Sequence, residues 1–364
     1  MRMSQRTEHN PTAAAADARR EKLDALQQRL TDQVADLRSG ADWQRMLKFA
    51  SRFHRYSANN SMLIAQQYTA MFEQGIVDKP VPSYVAGFNT WRALGRAVDR
   101  GQKGLAILAP TVYRDRGVAE PDGTMRELHA GERATKGETV VRGGRQVRGF
   151  RVEHVFALEQ TSGEPLPSVP RPQPLVGQAP DGLIDGLRDL AVQEGFTLSM
   201  VASKDDLDGA DGTTRFTDRS IRVRSDMSEA AIASTLAHEL GHVLLHDPHR
   251  DDGPTVTHRG IGEVEAESVA YIVSAAHGLD TSCDSMPYVA GWLGSRGDIR
   301  DVQATANRVV AAAHHVLSSL PTIQNGDGQP PGVSAAIAKR QAGKRPDRVP
   351  VDASASRAAA PELR

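Results

Sequence analysis

His238-Glu239-Leu240-Gly241-His242 constrains this chain more than any other stretch of it. The pattern HExxH has meaning only on a helix. There it sets two imidazoles at i and i+4 on one face, about 6 Å apart along the axis. Nitrogens at that spacing can reach one Zn²⁺ at about 2.0–2.1 Å. Glu239 directly follows the first ligand, so its carboxylate can accept a proton beside the ion. The neighbouring sequence predicts a helix over 227–246. Asp226 reads as its N-cap, and Glu229 completes a capping box. Ile232, Leu236, Leu240 and Val243 form its apolar flank.

A catalytic metal needs a third protein ligand and an open position. His246 lies eight residues after His238, about 12 Å along the helix and too far to share one ion. His249 lies seven after His242, where the metzincin spacing requires six. Glu263, Glu265 and Glu267 open the next predicted helix, 263–277. Glu263 and Glu267 share a face with Ala266 and Ala270, suited to close approach to the metal helix. Of these two carboxylates, one is expected to bind the metal and the other to orient a histidine. Glu265 points elsewhere and reads as an acidic first turn favoured by the helix dipole.

The chain has 364 residues, enough for two domains and tails. Its mean hydropathy of −0.43 suits a folded protein with polar ends. A single cysteine, Cys283, excludes an internal disulfide and a cysteine-based zinc cluster. No apolar run approaches the length of a membrane span, and the N-terminus lacks the apolar core of a signal peptide. The expected compartment is the cytoplasm, with no membrane partner.

The net charge of −1 hides an asymmetry. Residues 43–116 carry 11 Lys/Arg against 4 Asp/Glu, whereas 181–320 carry 11 against 22. The basic stretch also holds 10 of the 17 aromatic residues. That composition suits either single-stranded nucleic acid or an aromatic core with an arginine surface.

The expected fold class is α+β in two domains with disordered termini. Residues 1–18 read as a disordered arm. Residues 19–161 form an α+β domain: helices over 19–38, Trp43–Phe53 and a third capped by Asn59-Asn60-Ser61, then strands. A hairpin is expected at Asp99–Gly104, with 114–145 as a charged excursion and Val152–Leu158 as the returning strand. Residues 162–180, with six prolines, read as an extended tether that lets the halves separate. Residues 181–321 form a mostly helical domain with a small sheet: a helix at 183–194, strands near 197–201 and 220–224, the two metal-site helices and a last helix at 299–319. Residues 322–364 read as a disordered tail. No internal repeat is visible.

At HELGHVLLH and EVEAESVAYIV the second half resembles the ImmA/IrrE metallopeptidases, a zincin-like family. The resemblance implies Glu263 as third ligand, since that Glu stands three residues before the family's Ala. Glu267 stands where the family often has Asn. The first half resembles the single-stranded-DNA-binding N-terminal domain of the ArdC antirestriction family. The matching pieces are WQRMLKFASRFHRYSANNSMLI, VAGFNTWRALGRAVDRGQKGLAILAP and HVFALEQT. Together these pieces imply an ssDNA-binding zinc metallopeptidase of a mobile element, with ssDNA and a peptide or protein substrate as partners. Arg52, Arg55, Arg92, Arg96, Arg100 and Lys103 can neutralise phosphates. Tyr56 and Trp91 can stack on bases, and Asn60 and Asn89 can bond base edges or backbone. Trp43, Phe49, Phe53 and Phe88 fall on apolar faces and read as core. The strand near Arg219–Arg224 is expected to present an edge for peptide addition. The competing class is a non-enzymatic ssDNA-binding protein with a structural zinc domain.

Overall fold

The computed structural model describes residues 11–37, 40–119, 125–127, 135, 139–167, 177–250, 259–279 and 299–342. Residues 1–10 of the expected arm, 168–176 of the tether, 343–364 of the tail and Cys283 lie outside them.

The fold is α+β, with a mixed first half and a helical second half around a small sheet. The first half opens with α1 (Pro11–Asp36), α2 (Gly40–Phe53) and α3 (Ala58–Glu73). Ser57 caps α3 by accepting the Asn60 N–H, so the cap lies just before the Asn59–Ser61 run. Then follow β1 (Val85–Gly87), α4 (Phe88–Ala93), β2 (Arg96–Val98), β3 (Leu105–Ala119), β4 (Met125–Glu127), β5 (Thr139–Ala157) and β6 (Thr161–Gly163). The main sheet has the order β1-β5-β3-β4, all antiparallel.

Two expectations fail here. The segment at Asp99–Gly104 does not close a hairpin, because β2 pairs with β6 rather than β3. Gln160 fills the bend instead: its Nε2 donates to the Lys103 carbonyl, and its own carbonyl accepts from the Asp99 N–H. Nor do residues 114–119 and 139–145 leave the sheet. They extend the β3–β5 ladder to Ala119↔Thr139. Charge and glycine do not forbid a ladder whose bonds are all main-chain.

The second half contains α5 (Leu183–Gln193), β7 (Thr197–Val201), β8 (Gly212–Arg215), β9 (Ser220–Arg224), α6 (Glu229–His246), α7 (Arg259–Ala276), α8 (Ile299–Ser319) and α9 (Val333–Ala342). The sheet order is β7-β9-β8. The strand expected to offer an edge, β9, is therefore central, and β8, not foreseen, lies at the edge.

The halves do not hang on a tether. One buried cluster joins Leu26 and Leu30 of α1 and Trp43 and Leu47 of α2 to Leu187, Leu236, Val269 and Val309 of the second half. Trp43 is fully buried, and its Nε1–H donates to Ser268 Oγ on α7 at 2.9 Å. A proline-rich connection sets how far domains can part, but complementary apolar faces decide whether they do. The ends are also ordered further than composition suggests. Helix α1 begins at Pro11, and past α8 the Val85 N–H donates to the Gly328 carbonyl while α9 packs on α4. Among the described residues no helix is long and apolar enough to cross a membrane.

Candidate functional site

Helix α6 starts at a Ser228 cap whose Oγ accepts the Ala231 N–H. Asp226 is not the cap, because both its oxygens are taken by Arg224. Helix α7 crosses close to the motif. A Cβ on Gly241 would stand 2.9 Å from the Ala266 Cα, so the glycine inside HExxH lets the two backbones approach. That approach brings His238, His242 and Glu263 together, with one ligand atom from each within 4.8 Å of the others. The Nε2 atoms of His238 and His242 are 3.1 Å apart, and Glu263 Oε2 lies 3.4 and 3.7 Å from them. Ligands at about 2.0–2.1 Å around a tetrahedral ion stand about 3.3–3.4 Å from one another, so the triangle fits.

The tautomers point the same way. His238 Nδ1 lies 3.0 Å from Glu267 Oε2, which can only accept, so the ring donates there. His242 Nδ1 faces His246 Nδ1 at 3.0 Å, and His246 Nε2 donates to Glu265 Oε2 at 2.9 Å. With His246 Nε2 protonated, its Nδ1 accepts and His242 Nδ1–H donates. With both rings neutral, these Nε2 atoms would present lone pairs to the Glu263 carboxylate, a clash that a proton on either ring turns into a hydrogen bond. Three acceptors converging on one point require a cation. Without a metal, that cation is a proton. Burial disfavours charge on His238, but Glu263 and Glu267 overcome it and push its pKa up to about 10. The hydrogen bonds from His238 and His242 hold Glu263 well below the usual carboxylate range. The three side chains form a group that could hold a divalent metal ion.

Glu239 sits 5% exposed behind this triangle. Thr214 Oγ1 on β8 donates to its Oε2 at 2.6 Å. Burial raises its pKa, partly offset by that hydroxyl and by the two histidines. Space for it comes from Gly212, where an added Cβ would stand 2.8 Å from Glu239 Oε1.

The acidic-turn reading of Glu265 is wrong. Helix α7 begins four residues before Glu263, which places Glu265 a turn further in, completely buried between α6 and α8. Its second oxygen accepts from the Arg308 guanidinium. Burial opposes its charge, yet His246 and Arg308 hold its pKa below the ordinary value. His249 stays exposed beside Asp247, away from the triangle.

In the first half the structure divides the expected DNA-binding residues. Arg52, Arg92, Arg100, Lys103 and Asn89 are exposed, as is Arg55, which pairs with Asp327 at 3.3 Å. Four others are corrected to structural roles. Trp91 is fully buried, and its Nε1–H donates to the Phe156 carbonyl. Asn60 bonds both the N–H and the carbonyl of Leu108, bracing β3 against α3. Arg96 donates to the carbonyls of Thr161, Gly163 and Glu164, clamping β6. Tyr56 packs against the second apolar cluster with its hydroxyl on the Val85 carbonyl, and burial pushes its pKa up to about 12. Phe88, expected in the core, is instead 47% exposed.

Comparison with known proteins agrees with the two-part architecture. A family model described as the N-terminal domain of anti-restriction factor ArdC matches residues 24–152. A second, the IrrE N-terminal-like domain of the M78 peptidases, matches residues 196–281. The chain thus carries an ArdC N-terminal-like domain followed by an IrrE-like domain. An uncharacterized protein of Bacillus anthracis is 26% identical over 310 residues, 80% of this chain and 50% of that protein. The chain thus spans half the length of that curated relative. Crystal structures of the antirestriction ArdC protein from plasmid R388 are also similar. The metal-free form has 20% identity and a TM-score of 0.43, covering 72% of this chain and 85% of that one. The Mn(II)-bound form has 19% identity and a TM-score of 0.43, covering 72% and 84%.

Three site residues went unread in the sequence, Gly212, Thr214 and Arg308, and a fourth, Glu265, was misread. Thr214 and Arg308 lie 25 residues before Glu239 and 43 after Glu265, and carry no local motif. Only HELGHVLLH held a signal, since a third histidine at i+8 continues the metal face.

Proposed function

We propose that the chain is an ssDNA-binding, zinc-dependent metallopeptidase of the antirestriction type. The observation that carries the peptidase reading is the convergence of three ligand atoms beside a buried carboxylate that is not one of them. Two histidines and one glutamate are a zinc donor set that leaves a fourth position open. His238, His242 and Glu263 would hold the zinc, which would supply Lewis acidity toward a scissile carbonyl and a water. Glu239 takes the proton of the attacking water and passes it to the leaving amide nitrogen. Thr214 fixes one oxygen of that carboxylate and leaves the other for the transfer. Strand β8 lies beside Glu239 at the sheet edge, where an extended peptide can add as a further strand. Glu267 and His246 keep the two ligand rings in the metal-binding tautomer.

The first half, taken as residues 19–161, binds ssDNA through exposed cations. Arg52, Arg55, Arg92, Arg100 and Lys103 neutralise phosphates, with Asn89 and Phe88 beside Arg92 on α4. Its affinity falls steeply with salt.

The test is Glu239→Gln in the full chain. It should retain zinc and ssDNA affinity and lose cleavage of a mixed peptide substrate. A parent protein that binds ssDNA but cleaves no peptide, or a variant that cleaves equally well, would instead favour a non-enzymatic shield for incoming strands.

A further inference from the structure

We propose that the groove between α1, α2 and α3 is a base-binding pocket for single-stranded nucleic acid. This inference rests on the ssDNA reading above and adds where a base is held. The groove has a volume of about 700 Å³, within the range of about 300–1,000 Å³ typical of pockets that enclose small ligands. Met46, Phe49, Met62 and Ala65 give it an apolar floor.

Three features commit it to a base. The first is a ready stacking platform. Phe49 lies on the buried Phe53 ring, with centroids 4.4 Å apart and planes within 13°. Phe49 is the outer ring of that pair and lines the groove, so a base laid on it extends an existing stack. The second is a pair of unmet polar atoms. Gln33 Oε1 and Ser61 Oγ are buried without a hydrogen-bond partner, and both residues line this groove. They are two of five such side-chain atoms among the described residues. The amide of Gln33 is oriented by its Nε2, which donates to the Met62 carbonyl at 3.2 Å, leaving Oε1 as acceptor. Buried polar atoms are rarely left unpaired. Once either side chain rotates toward the groove, a base edge supplies an amino donor for Gln33 Oε1 and an acceptor for the Ser61 hydroxyl.

The third feature is charge. Arg45, Lys48 and Arg52 are exposed at i, i+3 and i+7 on α2, a stripe about 10 Å long at the groove mouth. Cations outnumber the acids Asp42 and Glu73 there. An inserted base places its flanking phosphates beside that stripe. Arg45 already pairs with Asp42, but an apolar peptide would fill the floor and leave Lys48, Arg52 and the two polar atoms without a role.

The experiment uses the full chain and two fluorescent strands of equal length, one with bases and one built from abasic sites. Phe49→Leu should weaken the base-bearing strand about tenfold and leave the abasic strand unchanged. Ser61→Ala should weaken the base-bearing strand while keeping or raising Tm, since it removes an unpaired hydroxyl. Arg45→Gln with Arg52→Gln should weaken both strands. Equal losses on both strands in Phe49→Leu, or no loss in either Phe49→Leu or Ser61→Ala, would overturn the pocket while leaving ssDNA binding intact. A parent that binds neither strand would overturn the underlying reading as well. Unchanged DNA affinity in Phe49→Leu, with loss of an amphipathic peptide instead, would assign the groove to a protein partner.

Discussion

The two halves of the molecule use their buried polar side chains differently. Around α6 and α7 they bond one another: His238 to Glu267, His242 to His246 to Glu265 to Arg308, and Thr214 to Glu239. In the first half the side chains once expected to meet DNA bond backbone: Trp91 to Phe156, Asn60 to Leu108, Arg96 to Thr161 and Gly163, Tyr56 to Val85. A side chain that satisfies a main-chain group braces the fold. A chain of side chains that satisfy each other fixes tautomers and charges at one point, which is what a reacting centre needs.

The most severe test of this contrast is Glu239→Gln. Peptide cleavage should fall by orders of magnitude with metal content unchanged, measured by metal analysis beside the rate. Next comes the chain behind His242. Glu265→Gln should weaken zinc affinity about 10–100-fold in competition with a chelator, and Glu267→Gln should do the same through His238. If neither variant moves metal affinity, these contacts are braces too, and the contrast fails.

A third test concerns pH. His54 and His314 meet at the seam between the halves, with their Nδ1 atoms 3.1 Å apart. Burial, then His314, lowers the His54 pKa to about 4, although Asp327 opposes this. Burial lowers His314 as well. A ring that folds neutral but is protonated when unfolded contributes stability above about pH 6.5 and loses it as pH falls toward 4. Relative to His54→Leu, the parent should lose up to about 3 kcal/mol across that window, read from denaturant melts. Parallel pH curves would show that the ring is already solvated.

Two smaller effects sharpen the bracing side. Asn60→Ala strands the Leu108 N–H and carbonyl, and should cost about 2 kcal/mol of stability while the folded protein keeps its ssDNA affinity. A loss of affinity at unchanged Tm would return Asn60 to the DNA surface. Trp43→Phe removes the bond to Ser268 and should cost about 1 kcal/mol, with both halves still melting in one transition. Two separate transitions in the parent would mean that the seam is not a shared core.

The convergence of His238, His242 and Glu263 was legible because a linear pattern carried it. The i, i+4 spacing puts two histidines on one face whatever the rest of the fold does, and the next acidic helix supplies the carboxylate that meets them. The strands at 197–201 and 220–224 and the helix at 299–319 were legible for the same local reason. The DNA residues were not. Trp91, Arg96 and Asn60 have the composition of a nucleic-acid face, and composition does not say which side of a helix or loop meets the sheet. Phe88 and Trp91 lie three residues apart on α4, one exposed and the other buried.

By itself, then, the sequence determined that α6 exists, that it carries His238, Glu239 and His242 on one face, and that Glu263 or Glu267 could complete a metal site. These follow from helix geometry over a few turns. Only the tertiary structure decided that Glu263 meets the two Nε2 atoms while Glu267 stands behind His238. It also sent Glu265 inward to Arg308 and buried Trp43 against α7. Those outcomes depend on how closely Gly241 lets α7 approach, and on burial between segments hundreds of residues apart. Neither leaves a periodic trace in the chain.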